Sequence, residues 1–138
     1  NVNYTVLEDW FELLTQEDFQ FVNLQYGECE EEILDIENSI GIKIIRWPDL
    51  DLKNDLENIY GLIKNLDAVV TVGTAVSSIA ASCNIPTILL MKPSWLMLGE
   101  KNKYPWYESV IPLVADNDEH VAVNIKKTPS ILRNILNI

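Results

Sequence analysis

The chain has 138 residues, 48% of them apolar, and its 21 acids against 10 bases leave a formal charge of -11. This length makes one domain spanning 1–138 rather than two, and the apolar share suffices for a single core, which excludes a disordered chain. The acid excess speaks against a non-specific nucleic-acid binder and against attraction to anionic lipid, while leaving room for a local site for a small phosphate ligand.

The elements follow one another as short apolar runs and longer amphipathic stretches. Thr5-Val6-Leu7-Glu8 has the form of a capping box, and Trp10, Phe11 and Leu14 follow at helical spacing, so a helix is predicted over about 5–15. Phe21 to Leu24 reads as a short strand, closed by Gln25-Tyr26-Gly27. Ile33, Leu34, Ile36 and Ile40 predict a helix ending at Gly41, with the acids of 28–37 forming its solvated face and first turn. Lys43 to Trp47 is a second strand stopped by Pro48. Asp51 to Asn54 starts a helix whose apolar face holds Leu56, Ile59, Tyr60, Ile63 and Leu66. Ala68 to Val72 has the near-continuous apolar character of a strand buried on both faces. A small-residue helix over 75–83, a buried strand over 87–91, a loop over 92–108, a strand over 110–114 and a helical stretch over 119–137, interrupted near Pro129, complete the chain. Strands alternating with helices predict a Rossmann-like three-layer α/β/α domain with a mostly parallel sheet.

Cys29 and Cys83 stand far apart and His120 is the sole histidine, which disfavours a zinc site, a catalytic Cys–His pair or a Ser/His/Asp set. The cysteines read as free thiols of a reducing compartment, and His120 as a surface residue. No run reaches the ~18 apolar residues of a membrane span. No signal peptide opens the sequence. A cytoplasmic protein is the expectation. A start at Asn1 without Met suggests a piece of a longer protein.

In an open parallel sheet, ligands bind beyond the carboxyl ends of the strands. The strongest local signal there is Gly73-Thr74-Ala75-Val76-Ser77-Ser78. Glycine lets a ligand approach the backbone, a helix N-terminus offers N–H groups, and hydroxyls add donors, a combination that suits a phosphate or diphosphate. The same residues also suit an ordinary helix cap with tight packing. Neither a G-x-x-x-x-G-K-[ST] loop nor a G-x-G-x-x-G fingerprint is present. Asp49-Leu50-Asp51 has a D-x-D spacing that could hold a divalent ion, but the commoner meaning is turn chemistry, and no metal is assigned. Trp47, Lys92 and Trp95 are candidate base or sugar contacts. The aromatic 95–107 loop suits either such contacts or an interface with another domain.

Three stretches in this order carry a resemblance: Phe21 to Gly27; Leu66 to Val76 running on to Ile85-Pro86-Thr87; and Tyr104-Pro105-Trp106-Tyr107-Glu108-Ser109. The chain resembles the C-terminal, nucleotide-binding half of GT-B glycosyltransferases. The likeness is to heptosyltransferase-like (family 9-like) domains that follow tetratricopeptide repeats in bacterial proteins. The resemblance implies a nucleoside diphosphate sugar as donor substrate, with no further cofactor. It implies diphosphate contacts from Gln25, Tyr26, Gly27, Gly73, Thr74, Ala75, Ser77 and Ser78. Gly73 stands where the family usually has Asp, and Ser78 where it usually has His. The general base and acceptor site would lie in an N-terminal half outside this chain, so residues 1–138 alone are not expected to be active.

The resemblance further implies sheet order 3-2-1-4-5-6 with the first strand outside the chain. The strands at 21–24 and 68–72 would flank the vacant place. They are expected either to pair directly or to accept another segment or a second copy by exchange. Two alternatives use the same fold. One is a receiver-like phospho-acceptor domain, suggested by Thr74-Ala75 and Lys92-Pro93. The other is a degenerate interaction domain without catalysis.

Overall fold

The computed structural model describes residues 4–138, and among these it is an α/β domain in three layers. A 3-10 turn, Leu7–Trp10, runs straight into α1, Phe11–Leu14. The entry differs from a Thr5 capping box. Val6 is the cap residue; its N–H donates to Asp9 Oδ2 at 3.0 Å, and valine has no side-chain acceptor to reciprocate. Thr5 Oγ1 instead accepts from the Trp10 indole N–H at 3.0 Å.

Strand β1, Phe21–Val22, pairs in parallel with β2, Ile44–Ile45. Between them α2, Glu30–Ile40, buries Ile33 and Ile36 and stops at Gly41. Gly41 adopts φ +71°, a left-handed cap that a β-carbon would strain. The next helix starts later than its acids suggest. Asp51 caps a turn, and α3, Leu56–Lys64, begins after Asp55, whose carboxylate accepts from the Asn58 N–H. Ile59 and Ile63 are buried, whereas Leu56 and Tyr60 lie exposed, so the apolar face is narrower than the spacing implies.

Strand β3, Val69–Val72, leads through α4, Ala75–Ser82, to β4, Thr87–Met91, and β5 is Val110–Val114. These three form a second parallel sheet in the order β3-β4-β5. The central strand β4 is buried throughout. In β3 only Val69 is buried and the other three residues are half-buried, because β3 is a sheet edge rather than an interior strand. The chain ends in a 3-10 segment, Val121–Lys127, and α5, Thr128–Leu136, with Pro129 in its first turn where a missing N–H costs nothing.

Strand alternation splits the core into layers. Ile88 and Leu90 pack with Leu13, Val121, Ile125 and Leu132 on one face; Leu89 and Met91 pack with Ala81 and Met97 on the other. Helices α1 and α2, with the 121–136 segment, cover the first face, and α3 and α4 cover the second. The winding reverses between β2 and β3. No pairing joins β1 to β3, so the direct closure of these strands does not occur. No helix among the described residues is long and apolar enough to cross a membrane.

Candidate functional site

The segments following β1, β2 and β3 converge. Leu24, Leu52 and Val76 each lie just beyond the carboxyl end of a strand, and all pack against one buried cluster of Ile59, Ile63, Val69 and Ala80. The rim above this cluster carries most of the predicted site residues. It lies where the winding reverses, the place at which open α/β sheets form a crevice.

On the β1 side, the turn after the strand is shaped by Asn23. Its Oδ1 accepts from the Gln25 N–H at 3.1 Å, and its Nδ2 donates to the Gln25 carbonyl at 3.0 Å. Gln25, Tyr26 and Gly27 are exposed, and Gly27 holds φ +99°. An Asn two residues ahead of the loop is an Asx-turn signal, legible in the sequence but not used above.

On the β3 side, Gly73, Thr74 and Ala75 are exposed and α4 begins immediately. Thr74 is extended at φ -137°, ψ 178°, and its hydroxyl makes no capping bond. Ser77 is half-buried and its hydroxyl donates to the Thr74 carbonyl at 2.7 Å, so it organises the helix start. Ser78 is exposed. A β-carbon added at Gly73 meets no protein atom within 4 Å, and Gly73 has no positive φ. The open space beside this backbone is therefore not a demand of packing.

The other candidates divide. Trp47, Tyr26 and Trp95 are exposed aromatics at 49%, 52% and 77%, each just past a strand end. Lys92 does not present its ammonium to the rim. Nζ donates to the carbonyls of Asp116, Asn117 and Glu119, closing the loop that follows β5. This corrects its assignment as a base or sugar contact, and it removes the free lysine that a receiver-like site would need. His120 is half-buried rather than a surface residue. Its Nδ1 accepts from the Ala122 N–H at 3.2 Å and caps the 121–127 segment. In the aromatic loop, the Trp106 indole donates to the Leu96 carbonyl at 2.9 Å, so the loop has internal order.

Asp51 accepts from the Lys53 and Asn54 backbone N–H groups and from the Asn54 side chain; these contacts, the Asn54 side chain foremost, hold its carboxyl below the ordinary range. The D-x-D stretch thus does turn chemistry. Among the described residues no three His, Cys, Asp or Glu side chains group as metal ligands. Both cysteines are free thiols.

One cluster was not anticipated. Arg46, just past β2, pairs with Glu30 at 2.7 Å and with Glu37 at 2.8 Å. Glu37 is buried and also accepts from the Ile44 N–H at 2.7 Å, contrary to the expectation of a solvated acidic face. The Arg46 guanidinium holds both carboxyls below the usual glutamate range, helped at Glu37 by the Ile44 N–H. Glu30 and Glu37 are seven apart on one helix face, a spacing that could have revealed the pair. Two surface hollows, of about 350 and 620 Å³, lie elsewhere and none of the predicted site residues lines them.

No family model matches the chain, and no solved structure matches it. Among curated proteins it is similar to Protein FlbA of Caulobacter vibrioides, with 37% identity over 102 residues. That match covers 73% of this chain and 17% of FlbA, so the chain spans about a sixth of the length of this relative.

Proposed function

We propose that this domain is the nucleotide-sugar-binding half of a glycosyltransferase. The single observation that carries the reading is the convergence of the Gln25–Gly27 turn and the Gly73–Ser78 helix start at the point where the winding reverses. A donor diphosphate would lie against the open backbone at Gly73 and the first N–H groups of α4, with the Thr74 and Ser78 hydroxyls adding donors. Charge growing on the leaving diphosphate would be met by these fixed dipoles rather than by a metal ion. Tyr26, Trp47 and Trp95 offer faces for a base or a sugar. Acceptor binding and the general base belong to a second domain of a longer cytoplasmic protein, which may-be-linked tetratricopeptide repeats would accompany.

The test is a titration with UDP, GDP and ADP, followed by amide shifts. Signals of Thr74 to Ser78 should move with at least one of the three, without a requirement for magnesium. Gly73→Ala adds a β-carbon where no protein atom stands, so it should leave stability within about 0.5 kcal/mol and weaken binding. Unmoved signals with all three nucleotides would overturn the reading and favour the interaction domain without catalysis.

A further inference from the structure

The two sheets behave as halves of one surface. Phe21 of β1 and Val70 and Val72 of β3 pack against the same buried cluster on one face. Leu24 and Val69 pack against a common cluster on the other. Backbone phase shows which groups face the interval between them. The Asn23 N–H donates to the Ile45 carbonyl at 2.9 Å, so Phe21 and Asn23 address β2 while Val22 and Leu24 address the interval. The Val69 N–H donates to the Pro86 carbonyl at 2.9 Å, so Val69 and Thr71 address β4 while Val70 and Val72 address the interval. All four interval-facing residues are apolar and half-buried, with none of the charges, prolines or bulges that protect a free edge.

We propose that the interval between β1 and β3 seats one further parallel strand, an extended apolar segment of the same polypeptide lying ahead of Tyr4. The helix that leads into β1 supports this occupant. Leu13 belongs to the core cluster of β4, and the adjacent Leu14 to that of β2, so α1 straddles the interval. A helix packed across two neighbouring positions of a parallel sheet joins the strands that fill them, by a right-handed crossover. One of those strands is β1; the other place is the interval. The entry point agrees. Tyr4, Val6 and Asp9 line a hollow with His120 and Val123, just past the carboxyl end of β5. The chain therefore comes to α1 from the rim at which a strand parallel to β1 would end. The matched relative is far longer than the shared region, which leaves ample polypeptide for such a segment. This inference does not depend on the nucleotide reading.

Amide hydrogen exchange tests it, comparing residues 1–138 with the polypeptide that carries its native ~20 preceding residues, enough for one strand and a turn. In the longer polypeptide the amides of Val22, Leu24, Val70 and Val72 should exchange at least tenfold more slowly. Those of Ile88 and Leu90 serve as folded controls. Unchanged exchange at the four positions with protected controls would overturn the proposal. So would loss of protection at Ile88 and Leu90, since a completing strand cannot unfold the sheet it completes. Protection that rises in residues 1–138 with protein concentration, and gains nothing from the longer polypeptide, would make a second copy the occupant and overturn it too.

Discussion

Truncating Glu37 should be among the costliest single changes on the surface of α2, although it removes one acid from a strongly acidic chain. Glu37→Ala deletes the acceptor of the Ile44 N–H at 2.7 Å and one carboxylate of the Arg46 pair at 2.8 Å. An unsatisfied buried N–H costs about 1–3 kcal/mol, and a charge-assisted bond contributes about 1.5–3 kcal/mol. The sum, discounted because Arg46 keeps Glu30, is about 3 kcal/mol. Glu37→Gln retains an acceptor for Ile44 and loses only the charge, so about 1.5 kcal/mol is expected. Glu30 binds the same guanidinium, but its side chain is 63% exposed, and Glu30→Ala should cost roughly 0.5 kcal/mol. Urea unfolding followed by tryptophan fluorescence measures the series. With a slope of about 1.5 kcal/mol per molar, the Glu37→Ala midpoint should fall by about 2 M. Equal losses for Glu37→Ala and Glu30→Ala would refute the reasoning, because burial is what separates them.

Two further outcomes follow from the same contacts. Glu37 and Asp18 have carboxyls lowered in the folded state by Arg46 and Arg133, so the unfolded chain binds more protons and their stabilisation is complete above the ordinary carboxyl values of about 4. Stability should therefore decline as pH falls below about 4, and urea midpoints should show a smaller decline in Glu37→Gln. Lys92→Met should destabilise the domain by about 1–2 kcal/mol through three carbonyls left without a donor, yet leave nucleotide affinity unchanged, as the parallel unfolding and titration curves would show.

Much of the architecture was legible because burial patterns dominate it. The run Thr87–Met91 reads as an interior strand and is one, and Gly41 reads as a helix stop and holds the left-handed conformation that stops it. The errors arose where tertiary partners decide. Val69–Val72 has an interior composition but borders the interval. Glu37 and Lys92 look like solvated charges in sequence, and folding gives each a partner remote from its own helix or strand. The Gly73–Ser78 stretch was visible because a β-branched run, a glycine and small helical residues are local signals. The matching turn at Asn23–Gly27 depends on one side chain folding back, which spacing alone underlines only weakly.

The inward commitment of Arg46 and Lys92 bears on how fast an anion could arrive. Both side chains spring from strand ends, where most phosphate crevices hold cations outward, and both are neutralised or wrapped by the protein itself. A molecule of formal charge -11 then offers a dianion no long-range pull. Encounter would proceed near the unsteered rate of about 10⁵–10⁶ M⁻¹s⁻¹ and quicken as salt screens the repulsion, the reverse of the behaviour of a basic crevice.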